Sequence, residues 1–421
     1  MKRNLLLLFA FALIGLSAKA QTSWTTLNSG TTANLYCIQF LDANNGFAGG
    51  GGNGIAVVIK THDGGNSWQA INIPSNFPVR SIYFTSTDSG WAVTGDVNSY
   101  TNTGTIWVTG TGGATWNSIT WPGTPYGNLS VQVNSGKVWV GATHNTTSTG
   151  QDVYYSTDDG TTWTANPASI DWIWQYGLHF YDSMHGWVAG DNQTNGLINY
   201  TADGGTTWTQ QYTLTNFLYG INFQDNMTGY AVGDHATLLR TTNAGTSWNA
   251  ISNPLTSDTL YSITLAMNGM IDLIVGSSGS TLWSSNNGIT WVTGPSTQTT
   301  QSLNSVTNAA LINGSQFWVC GDSGVIITNS IVEGIPAVNN SQANISIYPN
   351  PSDGNITVTQ LGIRNYELGI YDMLGNEVYH QPLSDASPST INVSFLNNGN
   401  YLWEVKSDRG TIDKGKITIA K

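Results

Sequence analysis

Carboxylates recur at two fixed places in this chain, and repeated acids are what acid–base, metal or polar-ligand chemistry would need. Asp63, Asp158 and Asp203 stand third in a repeated eight-residue phrase. Asp96, Asp191, Asp234 and Asp322 each follow a glycine at the end of a short apolar run. Aligning the runs that precede this second set puts Tyr36, Arg80, Leu129, Tyr176, Tyr219, Tyr261 and Asn304 at one equivalent position, with Trp174 two residues ahead of Tyr176. Acids, tyrosine rings and one arginine around a concave mouth would suit a polar ligand such as a glycan, through stacking and hydrogen bonds to carboxylates. The competing reading is that Gly-Asp is turn chemistry and that the tyrosines pack between neighbouring units.

The phrase that holds the first set reads THDGGNSW at 61–68, TGTGGATW at 109–116, STDDGTTW at 156–163, TADGGTTW at 201–208, TTNAGTSW at 241–248 and SSNNGITW at 284–291. Thr111, Asn243 and Asn286 take the place of the acid in three copies. A general acid or a metal ligand would not survive those swaps, whereas an acceptor for turn N–H groups would. We therefore read Asp63, Asp158, Asp203, Asn243 and Asn286 as turn acceptors. The glycine supplies a positive φ, and Trp68, Trp116, Trp163, Trp208, Trp248 and Trp291 pack into the sheet that follows.

The elements that would position these residues follow from the spacing. Counted from the orphan fragment TSW at 22–24, successive tryptophans lie 44, 48, 47, 45, 40 and 43 residues apart. Such a period means one supersecondary unit stacked on itself. Within a unit the segments are short, rich in Ile, Val, Tyr, Trp and Thr, and broken by Gly, Asn and Asp, which reads as strands. Four strands per unit make an antiparallel sheet, and radial repetition of such sheets makes a β-propeller. The last unit, 303–328, stops before its tryptophan strand, and the fragment at Trp24 would supply it. The expected fold is all-β: a seven-bladed β-propeller over residues 21–330, closed by the N-terminal strand. A polar linker at 331–342 follows. Residues 343–421 have their own strand pattern and read as an Ig-like β-sandwich.

Composition narrows the partners. Charged residues are 9% of the chain and the formal net charge is −12. Between residues 21 and 342 the bases are Lys60, Arg80, Lys137 and Arg240, set against 17 acids. Nucleic acid is therefore not an expected partner. Lys2 and Arg3, an apolar run from Leu5 to Leu16 and Ala18-Lys19-Ala20 resemble a secretory signal peptide over residues 1–20. No other stretch is apolar enough to span a membrane. The six histidines are scattered, without ligand spacing, so neither a metal site nor a cofactor is expected. Cys37 falls in a small slot that Ser or Gly fills in the other units, and Cys320 falls in the last unit, which would flank the first on closure. A disulfide across that seam and two buried thiols remain alternatives.

The phrase resembles the Asp-box of sialidase-type propellers. The longer segment FQDNMTGYAVGDHATLLRTTNAGTSW at 223–248 looks more like the photosystem II assembly-factor repeat, which implies a seven-bladed propeller. Sialidase chemistry needs an arginine cluster, and the propeller region offers only Arg80 and Arg240, the latter beside the Asp-box. The C-terminal stretch resembles the sorting domain of the type IX secretion system of Bacteroidetes, through Tyr348-Pro349-Asn350-Pro351, Gly354, Gly375, Gly399, Tyr401, Lys414 and Lys416. That resemblance implies the type IX machinery as a partner and a secreted or cell-surface location. The leading expectation is a non-catalytic binding or scaffold module whose ligand is a glycan or a surface protein. The alternative is a sialidase-like glycoside hydrolase using acids at the channel mouth.

Overall fold

The computed structural model describes residues 23–96, 104–119, 127–143, 153–165, 174–266, 272–311, 314–332, 346–359, 366–372, 377–383, 389–407 and 410–421. The expected signal peptide, most of the expected linker and Gly375 lie outside them. The chain divides into two compact units, residues 1–333 and 334–421.

Seven four-stranded antiparallel sheets build the first unit. Six take their strands in chain order. The seventh runs Thr25–Leu27, Ile326–Val332, Gly314–Gly321, Leu303–Leu311, so its outermost strand comes from the far end of the chain. Thr25 pairs with Thr328 and Leu27 with Ile326. Trp24 is buried beside Leu303, Phe317 and Ile327 and meets Trp283 edge-on at 6.1 Å. The first strands are Leu35–Phe40, Val79–Phe84, Gly127–Asn134, Trp174–Phe180, Leu218–Phe223, Leu260–Leu265 and Leu303–Leu311. They touch in that order, and the last touches the first.

Aromatic residues join one sheet to the next. The phenylalanine that ends a first strand lies face to face with an aromatic ring from the second strand of the preceding sheet. The pairs are Phe84 on Phe47 at 3.5 Å, Phe180 on Trp139 at 3.9 Å, Phe223 on Trp187 at 3.6 Å and Phe40 on Trp318 at 3.7 Å. The Phe40–Trp318 pair links the seventh sheet to the first. The edge of each ring meets the tryptophan of its own turn, as in Phe40–Trp68 and Phe223–Trp248. The indole N–H of Trp318 then donates to Gly64 O at 2.9 Å, and that of Trp139 to Gly204 O at 3.0 Å, each in the turn of the next sheet. Full burial of one such ring contributes about 1.5–3 kcal/mol, and the pair geometry adds about 0.5–1.5 kcal/mol.

The ring needs a cleared backbone opposite it. Gly46, Gly90, Gly186 and Gly229 pair with Phe40, Phe84, Phe180 and Phe223, and a Cβ at any of them would lie 2.3–2.6 Å from the ring. Three sheets depart from this rule: the third has Val133 opposite Val138, the seventh Asn308 opposite Phe317, and the sixth Leu265 opposite Asp272.

The second unit holds a three-stranded sheet (Ser346–Tyr348, Asn355–Thr359, Ser389–Asn392) and a four-stranded one (Glu377–Leu383, Tyr366–Tyr371, Gly399–Ser407, Gly410–Ile419). Ile356, Val358 and Ile391 of the first share a core with Leu368, Ile370, Trp403, Val405 and Ile417 of the second. Asn350 ties the start of this unit to its last strand: its Nδ2 donates to Lys416 O and its Oδ1 accepts from Thr418 N–H, both at 2.9 Å. Ser352 N–H donates to Thr418 O at 2.8 Å beside it. Gly354 has φ +127°, where a Cβ would meet Ser394 at 3.0 Å. Tyr401 donates its hydroxyl to Asn397 O at 3.0 Å. Lys414 lies in the last strand opposite Glu404.

Candidate functional site

The Asp-box acids are bound up in their own turns. Asp63 Oδ1 accepts from the Thr61 hydroxyl at 2.8 Å and from Ser67 N–H at 2.9 Å, and Oδ2 accepts from the Ser67 hydroxyl at 2.6 Å. Those donors, the Ser67 hydroxyl foremost, pull its carboxyl down to about 2. Asp158 and Asp203 repeat the pattern with Thr162 and Thr207. Asn243 and Asn286 keep the Oδ1 acceptor and turn the other atom round, donating from Nδ2 to Ser247 Oγ and Thr290 Oγ1. Thr111 keeps one acceptor, for Thr115 N–H at 2.9 Å. Trp116, Trp208, Trp248 and Trp291 are buried, while Trp68 and Trp163 are partly so.

The second set is positioned by a β-bulge that recurs in all seven sheets. Pairing of first and second strands skips one residue each time: Tyr36, Arg80, Leu129, Tyr176, Tyr219, Tyr261 and Asn304. A bulged residue leaves the ladder and its strand bends there. The residue after the bulge must be small, because the neighbouring first strand passes close. A Cβ on Gly220 would lie 2.9 Å from Tyr261 O, and Ser81 Oγ instead accepts Val131 N–H at 3.3 Å.

Tyr36, Arg80, Tyr176, Tyr219, Tyr261, Asn304 and Asp322 line one cavity of about 610 Å³. Tyr176 and Tyr219 have ring centroids 4.9 Å apart, and Tyr219 and Tyr261 5.6 Å. The Arg80 guanidinium lies 4.5 Å above the Tyr36 ring and donates from Nε to Gly95 O at 3.2 Å. Asp322 Oδ1 accepts from Asn304 Nδ2 at 2.9 Å. Asp234 accepts from the Thr259 hydroxyl at 3.1 Å and, at 3.4 Å, from that of Tyr219. Burial pushes the phenols of Tyr176, Tyr219 and Tyr261 up, and the charges of Asp191, Asp234 and Asp322 push in the same direction. The Asp191 carboxyl is itself raised, by burial and then by Asp234, although Gln193 N–H donates to it at 2.7 Å.

The acids are thus both turn residues and neighbours of the tyrosines. Asp191, Asp234 and Asp96 are not part of the cavity wall; Asp322 is. Trp174 pairs with Asp191 at the start of its strand, and its side chain lies outside the described residues. Sequence comparison missed the wall hydroxyls, among them Ser81, Ser262, Ser302 and Ser305. For Ser81, Ser262 and Ser305 the signal was the small-residue slot that follows each bulge; Ser302, ahead of its strand, had none. Arg240 is remote from the mouth: its Nε donates to Tyr230 Oη at 3.0 Å, in the seam between the fifth and sixth sheets. Cys37 and Cys320 are both buried free thiols, directed at Gly49 O and Leu35 O at 3.5 and 3.7 Å. Among the described residues no His, Cys, Asp and Glu cluster could hold a metal ion.

Residues 346–420 match the family described as the secretion system C-terminal sorting domain. Residues 168–252 and 209–300 match the photosynthesis system II assembly factor YCF48 family. No curated protein matches the sequence. Among solved structures the chain resembles YCF48 bound to a D1 peptide, with 18% identity and TM-score 0.57, over 76% of this chain and 97% of that one. It also resembles PorZ, an essential surface component of the type IX secretion system of Porphyromonas gingivalis, with 12% identity and TM-score 0.51, over 92% of this chain and 59% of PorZ. A GH74 xyloglucanase from Xanthomonas campestris aligns at 11% identity and TM-score 0.57, over 80% of this chain and 59% of the enzyme. At these identities the likeness is one of fold. The chain therefore joins a propeller similar to YCF48 and PorZ to a C-terminal sorting domain of the kind that directs export to the cell surface or beyond.

Proposed function

We propose that this is a secreted or cell-surface, non-catalytic binding module. In this reading residues 21–330 form a seven-bladed propeller closed by the strand at Thr25–Leu27. Residues 331–342 link it to an Ig-like sorting domain at 343–421, which hands the protein to the type IX machinery after a signal peptide at 1–20. The observation that carries the reading is the bulge repeated in seven sheets, which brings tyrosines, an arginine and an acid to one cavity of about 610 Å³. That size is within the range of about 300–1,000 Å³ common for ligand pockets.

Hydrolysis is the weaker reading. A glycosidase needs one carboxyl to protonate the leaving group and a second across the bond. Here Asp322 is bonded to an amide, Asp234 to hydroxyls and Asp191 to a turn N–H. The test is a screen of the purified protein against glycans and peptides, with release of reducing ends measured in parallel. Binding without turnover, lost in Tyr219→Leu, is expected. Turnover lost in Asp322→Asn would favour the hydrolase, and binding indifferent to both substitutions would reject the mouth as the site. Export is tested separately: removal of residues 343–421 should leave the protein inside the cell envelope, and undiminished surface display would overturn that part.

A further inference from the structure

The mouth is electrically one-sided. Its single base, Arg80, stands at one end over Tyr36. The other bases of residues 21–342 are seated elsewhere. Lys60 donates to Gly112 O at 3.3 Å and Lys137 to Gly204 O at 2.6 Å, the latter ammonium 3.7 Å above the Tyr155 ring. Arg240 lies over Tyr230 at 5.8 Å. Around the rest of the mouth run Tyr176, Tyr219 and Tyr261, with Asp322 in the wall and Asp191 and Asp234 close enough to act on the phenols. Burial is the larger cause of the upward push on all three phenols, and these acids add to it.

We propose that the arc Tyr176–Tyr219–Tyr261 receives a cationic side chain, the guanidinium or ammonium of an arginine or lysine in a peptide, with Asp322 and Asp234 supplying the counter-charge. The inference rests on the reading of the mouth as a binding site. Two effects act together. A cation over a tyrosine face is attracted by the ring quadrupole, the more so as it is desolvated. Low-dielectric walls also focus the field of the acids into the cleft. The Arg80–Tyr36 pair shows the same contact made within the chain. A neutral glycan would stack on the rings but leave the acids uncompensated, and an anion would be repelled. Arg80, whose charge also reaches Tyr176, repels the cation and favours a seat toward Tyr219 and Tyr261.

Calorimetry on the full secreted chain tests this with three matched probes: acetyl-Gly-Gly-Arg-Gly-Gly-amide, its citrulline twin and its glutamate twin. Citrulline keeps the shape of arginine without its charge. The arginine peptide should bind about tenfold more tightly than the citrulline peptide, and the glutamate peptide should not bind. Asp322→Asn and Tyr219→Leu should each weaken it about five- to tenfold. Arg80→Gln should tighten it severalfold. Asp88→Asn removes the same charge from an exposed turn and should change nothing. Equal binding of the arginine and citrulline peptides would overturn the inference. So would weakening by Arg80→Gln, an Asp88→Asn effect as large as that of Asp322→Asn, or no heat from the arginine peptide at millimolar concentration. Binding of a neutral glycan that Tyr219→Leu abolishes, without arginine-peptide binding, would sink the cation and leave the mouth standing as a site. Spermidine outcompeting the peptide would assign the site to free amines and overturn the peptide as its occupant.

Discussion

Asp272 should act as an internal acid load on the sixth sheet, and its removal should stabilise the protein above pH 6. The carboxyl is 1% exposed, and neither oxygen meets a side-chain donor. It takes the place that glycine holds opposite Phe40, Phe84, Phe180 and Phe223, made possible because Leu265 is smaller than a phenylalanine. Burial raises its pKa from 3.8 to about 6, opposed by Ala266 N–H and by the Arg240 charge. The sign follows from which state holds the proton. The folded state binds it more tightly, so stability is greatest below the unfolded value, falls as pH rises through the interval up to about 6, and is level beyond. A shift of about two units at 1.36 kcal/mol each sets the cost near 3 kcal/mol at pH 7. Asp272→Asn removes the charge and keeps the shape. The gain should be about 1–3 kcal/mol, because a buried amide still carries its own desolvation cost. Urea unfolding of the wild type and Asp272→Asn at pH 4, 5, 6, 7 and 8 measures it as a difference curve. That curve should open between pH 4 and 6.5 and then run flat. A difference independent of pH, or a variant less stable than wild type at pH 7, would refute the reasoning.

Other outcomes follow from the same geometry. Asp63→Asn should be tolerated, since Asn243 keeps the same turn acceptor at 2.9 Å, whereas Asp63→Ala should lower the melting temperature in a thermal scan at pH 7. Because the Asp63 carboxyl is held down to about 2, its share of stability should be full above pH 4 and fade as pH falls from there to about 2, visible as convergence of wild type and Asp63→Ala in acid. Trp24→Ala empties a buried site on the closing strand and should cost about 3–5 kcal/mol in denaturant unfolding. Burial pushes the Cys37 thiol up to about 12 and the Cys320 thiol well above its ordinary range. A thiol reagent at pH 8 should therefore label neither in the native protein and both after denaturation without reductant. If no thiol appears until a reductant is added, the seam is disulfide-bonded.

The sheets were legible in the sequence because their determinants are local. An eight-residue phrase contains its own hydrogen-bond acceptor, its positive-φ glycine and its packing tryptophan, so it reads the same wherever it occurs. The Asp-to-Asn swaps were interpretable for that reason: Oδ1 keeps both of its donors in Asn243 and Asn286. The contacts between sheets were not legible, because they pair residues from different units. Nothing adjacent to Phe40 announces that it stacks on Trp318, almost the whole propeller away in sequence. Asp272 escaped notice for a related reason. As one more acid near a turn it looks ordinary, and it becomes anomalous only when its rung is set beside the glycine rungs of four other sheets.

The bulge explains why the mouth, although found by alignment, could not be interpreted by it. The position after the bulge is Cys37, Ser81, Ser130, Gly177, Gly220, Ser262 or Ser305, always small, because the neighbouring strand leaves no room for more. The bulged position is Tyr36, Arg80, Leu129, Tyr176, Tyr219, Tyr261 or Asn304, which share neither size, charge nor polarity. Adjacent positions in one strand, repeated seven times in one chain, thus obey opposite rules. A residue outside the ladder is released from strand pairing, and each side chain finds its own partner: Arg80 donates to Gly95 O, Asn304 to Leu35 O, and the tyrosines lie ring to ring. If tyrosine served there only to pack between sheets, the sheets carrying Arg80 and Asn304 would have to supply another filler, and both side chains instead face the same cavity as the tyrosines. In the proposed binding reading, the polarity of this position, with rings and Asp322 on one side and Arg80 on the other, is the feature a ligand would match.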